Sequence, residues 1–362
     1  MLHTLRSSLH TEIKDIPFKV SDSFIEENQV VSVLTGGTEA LFLDLVREKK
    51  IDLQRPVYLL VSGYSNSIPA ALEILSFIRQ RNGIAKIMQH PKDTVFPDLN
   101  DTASLTRAPL DKVLKSIGKQ RLGIVGKPQD WLIASQVDYK EVLKTMGVEL
   151  IDIPFSEIES LGVVDPGMKG AEAIYQRLKE IVAKYKLDGI TVRCFDLFTT
   201  VKNTGCIAVS KLNDEGIPAG CESDIPVLLT LMICKKLTGE PGFMGSPARI
   251  QPDGQILLAK CTIALSMTSK YEYTTHFESG MGVAIHGEVP AGYYTLVKLS
   301  PDMKRLLAVN VQVTRCQYEK SMCRTQIWVQ TTPIVSQYLL TSPLSDHHIL
   351  IKGHHAAKFW RE

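Results

Sequence analysis

Through the first two thirds of the chain the apolar residues recur in one rhythm. A short β-branched run gives way to a turn rich in Gly or Ser, then to an amphipathic stretch with helical spacing. Residues 30–34 read as a strand leading into Thr35-Gly36-Gly37-Thr38-Glu39 and a helix over 40–48. Residues 57–61 lead into SGYSNS and a helix over 68–81 whose Leu72, Leu75 and Ile78 keep one face apolar, and 84–88 read as the next strand. A second set opens with a strand at 122–125, followed by GKPQDW, a helical stretch ending at Met146 and a strand at 148–153. A helix over 171–185, strands at 189–194 and 205–209, and the helix IPVLLTLMICKK, stopped by Thr238-Gly239, complete it. Strands alternating with helices bury parallel sheets on both faces, which predicts two Rossmann-like α/β domains.

From about Met244 the pattern changes. Segments 255–265, 282–286, 294–299, 306–313, 325–330 and 348–352 are strand-like and separated by PDG, VPAGY, SPD and TSPLSD turns, which predicts a mostly antiparallel β domain. The polar, turn-rich segment 89–120 carries a domain junction near its end. The predicted layout is an N-terminal α/β domain over 1–118, a second α/β domain over 119–243, and a C-terminal β domain over 244–362. A chain of 362 residues is long enough for this, at ~150 residues per domain.

Composition narrows the function classes. With 44% hydrophobic and 22% charged residues and a mean hydropathy of +0.01, the chain has ample material for a core and no disordered or fibrous character. Forty-one Lys and Arg against 39 Asp and Glu leave a formal charge of +2 with no charged block, so nothing calls for nucleic acid or a membrane surface. Apolar runs such as 225–229 fall far short of the ~20 residues that cross a bilayer, MLHTLRSSLHTEIKD lacks a signal-peptide core, and a cytoplasmic location is expected. Seven cysteines without a CxxC pair read as reduced thiols, mostly core filler.

The candidate chemistry is concentrated in three places. Asp196 lies just beyond the strand GITVRC, and Cys221-Glu222-Ser223-Asp224 precedes the 225 helix, so all three carboxylates fall beyond the carboxyl ends of parallel strands, where ligands bind in open sheets. Asp224 with Pro226 soon after is equally the signature of a helix N-cap, whereas Glu222 in an apolar context needs a partner such as a metal ion. The segment DHHILIKGHH places His347 and three further histidines around a strand, as ligands, surface groups or core hydrogen-bonding groups. His276 and Glu278 alternate to one face if extended, where they meet either a sugar hydroxyl or each other as a salt bridge. Trp131 in KPQDW stacks either on a sugar face or on its own domain. The Gly36-Gly37-Thr38-Glu39 turn lacks both GxGxxG and a P-loop lysine, which disfavours nucleotide binding and oxidoreductase chemistry.

Together these segments resemble a known family. RCFDLF, NTGCIAVSKLNDEGIPAGCESDIPVLLTLMICKKLTGEPGFMG, the closing DHHILIKGHHAAKF, and the earlier TGGTE and GKPQDWLIAS are similar to the L-fucose isomerase family and its shorter relatives. The resemblance implies an aldose–ketose isomerase with two α/β domains and a C-terminal β domain, assembled as a homo-oligomer (trimer or hexamer) and acting on a fucose- or arabinose-like sugar through a metal-stabilised enediol. It implies Mn²⁺, with Mg²⁺ or another divalent metal as alternatives, held by a glutamate, an aspartate and a histidine. The aspartate falls on Asp224, the histidine on His347, which follows Asp346 where the family has Asn, and the glutamate on the shorter Asp196. Glu222 matches a family glutamate and is a reserve ligand, so proton transfer falls to Asp196, Glu222 or Asp224, with His276, Glu278 and Trp131 on the sugar. Lys260-Cys261 stands where relatives often have His-Cys. These departures also admit a non-catalytic sugar-binding or regulatory protein, or a metal-dependent hydrolase or lyase of a sugar derivative.

Overall fold

A computed structural model describes residues 2–5, 29–89 and 110–360; residues 90–109 of the polar 89–120 segment lie outside them. The β-branched runs form two parallel four-stranded sheets. The first has the order β1-β2-β3-β4, from Leu2–Leu5 (β1), Gln29–Val33 (β2), Val57–Val61 (β3) and Ala85–Met88 (β4). Helices Glu39–Arg47 (α1) and Ser67–Gln80 (α2) follow β2 and β3. α2 is buried continuously from Ser67 to Ile78, which suits a helix pressed between this sheet and a third layer rather than one facing water.

The second sheet has the order β6-β5-β7-β8, from Gln120–Val125 (β5), Val148–Ile153 (β6), Gly189–Val192 (β7) and Ala219–Cys221 (β8). Helices Leu110–Ser116 (α3), Tyr139–Met146 (α4), Ser156–Glu159 (α5), Met168–Tyr185 (α6), Asp196–Thr200 (α7), Cys206–Asp214 (α8) and Ile225–Thr238 (α9) punctuate it. The expected strand at 205–209 is therefore a helix, α8. Residues 203–210 are all buried, and 205–209 are apolar or small throughout, so neither the period of a strand nor that of a helix is visible there. Helix α4 starts only at Tyr139, where the Asp138 carboxylate accepts from the amides of Lys140 (2.8 Å) and Glu141 (3.3 Å).

Antiparallel strands Gly242–Ile250 (β9), Gln255–Lys260 (β10), Gly292–Leu299 (β13), Leu306–Gln317 (β14), Thr325–Gln330 (β15) and His348–Lys352 (β16) close into a barrel in the order β10-β15-β14-β13-β16-β9. Lys270–Thr274 (β11) and Ala284–Glu288 (β12) form a separate hairpin, and Pro333–Thr341 (α10) packs against β4 and α2. Closure leaves no open edge among the six barrel strands. One apolar cluster runs from Leu72 and Leu75 of α2 to Ile256, Leu258 and Val329 of the barrel, and a second runs from Ile124 and Leu228 to Val297, Leu299 and Ile349. The barrel thus packs against both α/β layers, and the carboxyl ends of their strands are turned toward it. No helix of the described residues is long and apolar enough to cross a membrane.

Asn213 ties the end of α8 to the start of β8. Its buried amide donates to the carbonyls of Val209 (3.0 Å) and Ala219 (2.8 Å) and accepts from the Ala219 amide (3.0 Å). Asn213→Ala leaves both polar groups of Ala219 without their side-chain partner, so we expect the unfolding free energy to drop by about 2–3 kcal/mol. Urea denaturation of the two proteins checks this, and an unchanged midpoint would contradict the bracing role.

Candidate active site

The loops beyond β2, β3, β5, β7 and β8 meet the barrel around a pocket. Three turns that deliver its residues adopt left-handed backbone at non-glycine positions: Ser65 and Asn66 (φ 46° and 61°), Glu222 and Ser223 (66° and 50°), and Ser345 (113°). Such conformations persist where surrounding bonds over-determine them. For the second turn the bonds are visible: Ser223 donates its amide to the Val192 carbonyl (3.0 Å) and its hydroxyl to the Val125 carbonyl (2.9 Å), and the Glu222 carbonyl accepts from the Gln129 amide (3.0 Å). The turn is thereby stapled to the ends of β5 and β7. Gly36 lies so close to the 65–66 turn that a Cβ would meet the Asn66 Cβ at 2.8 Å.

Four side chains form a continuous polar chain, three of them lining the pocket and Asp224 buried behind His347. Asp224 caps α9 through Oδ1, which accepts from the Val227 amide (3.0 Å), and its Oδ2 accepts from Nδ1 of His347 (2.9 Å). The capping expected of Asp224 is present in one oxygen, while the other orients an imidazole and does not face a metal position. His347 Nε2 lies 2.8 Å from Lys260 Nζ, and Lys260 donates to Glu222 Oε1. Glu222 Oε2 accepts from the indole of Trp131 (2.7 Å). Asp346 approaches His347 Nε2 (3.4 Å) through Oδ2, which also accepts from the Ser246 hydroxyl (3.2 Å), while its buried Oδ1 has no hydrogen-bond partner.

Electrostatics follow from burial. Desolvation opposes the charge on Glu222 and Asp224, yet Lys260 and His347 hold Glu222, and His347 and Lys298 hold Asp224, below the usual carboxylate range. Burial also opposes the charge on Lys260, but Glu222 keeps its pKa above the ordinary lysine value. Burial and Lys260 work against a protonated His347, whereas Asp346, Glu222 and Asp224 work for it and prevail. Both groups are thus pushed toward holding a proton, but the 2.8 Å contact has room for only one between the two nitrogens; it stays on Lys260, the more basic, so that Nε2 accepts and the pair carries a single positive charge. Burial raises Asp346 and Glu278 from their ordinary carboxylate values, and Glu39 well above its own.

The other expected site residues are distributed around this polar chain. His276 and Glu278 line the pocket and approach each other at 3.6 Å, although through a turn rather than an extended strand. Glu278 Oε1 accepts from Asn66 (2.5 Å), and the His276 ring packs on Phe195 and Phe198. Trp131 lines the pocket with its ring edge-to-face on Phe195 at 4.7 Å. Asp196 does not join Asp224 and His347. It lies beyond β7 as expected, but its Oδ2 accepts from Arg193 Nε (2.8 Å), a residue also paired with Asp130 (3.1 Å), and more than a third of its side chain faces solvent. Of the closing histidines only His347 lines the pocket: His348 bonds back to the Asp346 carbonyl and His354 stacks on Tyr293.

These positions do not fit a divalent ion held by Asp196, Asp224 and His347. Asp196 is committed to Arg193. Both oxygens of Asp224 are spent on the Val227 amide and on His347, and the remaining imidazole nitrogen faces an ammonium. Among the described residues no group of three His, Cys, Asp or Glu side chains is arranged to hold a metal.

Lys260 and Glu73 are the participants that pattern reasoning does not assign. Glu73 sits in the apolar run PAALEILSF of α2, and a lone acid in such a run is its only signal. It joins three parts of the fold: Oε1 accepts from the Ala134 amide (2.7 Å) and Oε2 from the Asp346 amide (3.3 Å). Cys194, Cys206, Cys221, Cys261 and Cys323 also line the pocket, all free and buried.

No protein-family model matches the chain. It is 24% identical over 258 residues to the sulfoquinovose isomerase of Priestia aryabhattai, covering 61% of this chain and 58% of that protein. The sulfoquinovose isomerase of Alkalicoccus urumqiensis is 22% identical over 301 residues, covering 72% and 68%, and that of Clostridium sp. (strain MSTE9) is 26% identical over 165 residues, covering 38% and 37%. The chain thus spans 58% of the length of the Priestia relative it matches.

Burial, and next to it the Asp224 charge, raise the Glu73 pKa from 4.5 to about 7. The unfolded chain therefore releases this proton at lower pH than the folded protein does. Stability is full below about pH 4.5 and declines as pH rises to about 7, by about 3 kcal/mol from this group. Glu73→Gln cannot ionise, so its stability relative to wild type should improve by that amount between pH 4.5 and 8 in chemical denaturation. Parallel pH profiles for the two proteins would show that Glu73 is ionised in the fold throughout.

Proposed function

We propose that the chain is a sugar isomerase that interconverts an aldose and a ketose in this pocket. The observation that carries the reading is the convergence of Glu222, Lys260, Asp346 and His347, from three stretches of sequence, on one pocket, with Asp224 buried behind His347. The likeness to sulfoquinovose isomerases supports the same class of reaction.

Moving a carbonyl from C1 to C2 requires a proton to leave C2 and another to arrive at C1, with an enediol between. Asp346 is the group suited to carry it. Its Oδ1 is unpartnered, and burial raises its pKa above the ordinary aspartate value, which makes the carboxylate a stronger base. Asp224 fixes the imidazole of His347, and Trp131 fixes Glu222, so the groups beside the reacting carbons are set before substrate arrives. His276 and Glu278 face the same space and supply hydrogen bonds to the remaining hydroxyls.

The substrate class that suits this lining is a neutral aldose of the fucose or arabinose kind. A sulfonate would meet the carboxyl groups of Glu39, Glu73, Glu278 and Asp346, and the lysine that lines the pocket is already paired with Glu222.

Incubation of the protein with a panel of neutral aldoses and ketoses tests the reading. We expect one aldose–ketose pair to equilibrate, and Asp346→Asn to lower kcat by about 10²–10⁴-fold with KM little changed. Cleavage of a sugar derivative without interconversion, or binding without turnover across the panel, would overturn it.

A further inference from the structure

A buried lysine beside an imidazole and two carboxylates is an unusual occupant for a site whose sequence motifs elsewhere accompany a divalent ion. We propose that the Lys260 ammonium fills the cation position of this pocket, so that isomerisation proceeds without a metal and Lys260 itself stabilises the oxygen that gains charge. The inference rests on the isomerase reading and names the group that does the electrophilic work.

Geometry carries the argument. Lys260 is the last residue of β10, only 8% exposed, and its ammonium stands between Glu222 Oε1 and His347 Nε2, which both accept from it and are the lone pairs a cation here would use. An ammonium has three N–H donors, and these contacts use two. The third is free for a substrate oxygen. A divalent ion bound by the same two donors would lie within about 3 Å of a fixed positive charge, with Coulomb repulsion weakened little by solvent in a buried site. Asp224 cannot swing in to compensate, because α9 would lose its cap.

The proton balance closes without a co-reactant. Asp346 takes the C2 proton, the C2–H pair becomes the C1–C2 double bond, and the former carbonyl oxygen O1 takes a proton from Lys260. In the second half Lys260, now an amine, recovers a proton from the O2 hydroxyl as C2=O forms, and Asp346 returns its proton to C1. Both side chains end as they began, and aldose has become ketose.

Two measurements test this, and they separate it from the isomerase reading. The full-length protein, purified and dialysed against EDTA, is titrated with Mn²⁺ alone and followed by electron paramagnetic resonance. We expect the free-ion signal to persist, with no stoichiometric bound Mn²⁺. Binding of one Mn²⁺ per chain that His347→Ala abolishes would overturn the inference, whether or not any sugar is turned over. On the sugar that the panel identifies, we expect EDTA to leave kcat unchanged and Lys260→Met, which keeps the side chain's length, to lower kcat by 100-fold or more with KM changed far less. Loss of wild-type activity in EDTA, restored by Mn²⁺, would also overturn it. Failure of every sugar to interconvert would instead strike the isomerase reading and leave the Mn²⁺ titration to decide the cation.

Discussion

The structure turns on how charges are kept solvent-free. Glu222 and Asp224 come from the end of the second sheet, Lys260 and His347 from the barrel, and none could be buried alone, since an isolated charge in a protein interior is strongly disfavoured. Each pair is complete only when the sheet and the barrel are docked. The Lys260–Glu222 and His347–Asp224 contacts therefore act as registration points between two layers whose apolar faces, Leu228 and Ile124 against Val297 and Ile349, would otherwise tolerate sliding. Glu73 does the same for the first sheet through the amides of Ala134 and Asp346.

This arrangement has a local cost that the fold absorbs. Non-glycine residues in left-handed backbone are disfavoured by roughly 1–2 kcal/mol each, and here they occur in the turns that present Asn66, Glu222 and Asp346. What holds the turns is the set of strand-end hydrogen bonds below them, such as those of Ser223 to Val125 and Val192. Rigid sheets thus fix strained loops, and the loops fix the side chains. A pocket assembled in this way is set before a sugar enters, which is what proton transfer between neighbouring carbons requires.

Much of the scaffold was legible because its periodicities are strong. The runs at 57–61, 148–153, 325–330 and 348–352 coincide with β3, β6, β15 and β16, and Asp224 with Pro226 announced the start of α9. Helix α8 was misread as a strand because a fully buried run of small and β-branched residues has no polar face to give its period away. The site was legible in part. Position beyond a strand end singled out Glu222, Asp224 and Asp196 alike, but a strand-end rule says nothing about side-chain direction, and Arg193, three residues before Asp196, turns that acid outward. Glu222 was marked as needing a partner, and its partner proved to be Lys260, which sequence spacing could not place 38 residues away.

An enzyme of this kind moves hydrogen between adjacent carbons either as a proton, which exchanges with solvent, or as a hydride, which does not. The account assigns a carboxylate and an ammonium to the task and so requires the proton route. The most direct measurement is isomerisation in D₂O, with deuterium located by NMR in product and recovered substrate. The account predicts deuterium at C1 of the ketose and, on return, at C2 of the aldose, in wild type and not beyond background in Asp346→Asn. Complete interconversion with no solvent deuterium at either carbon would contradict it.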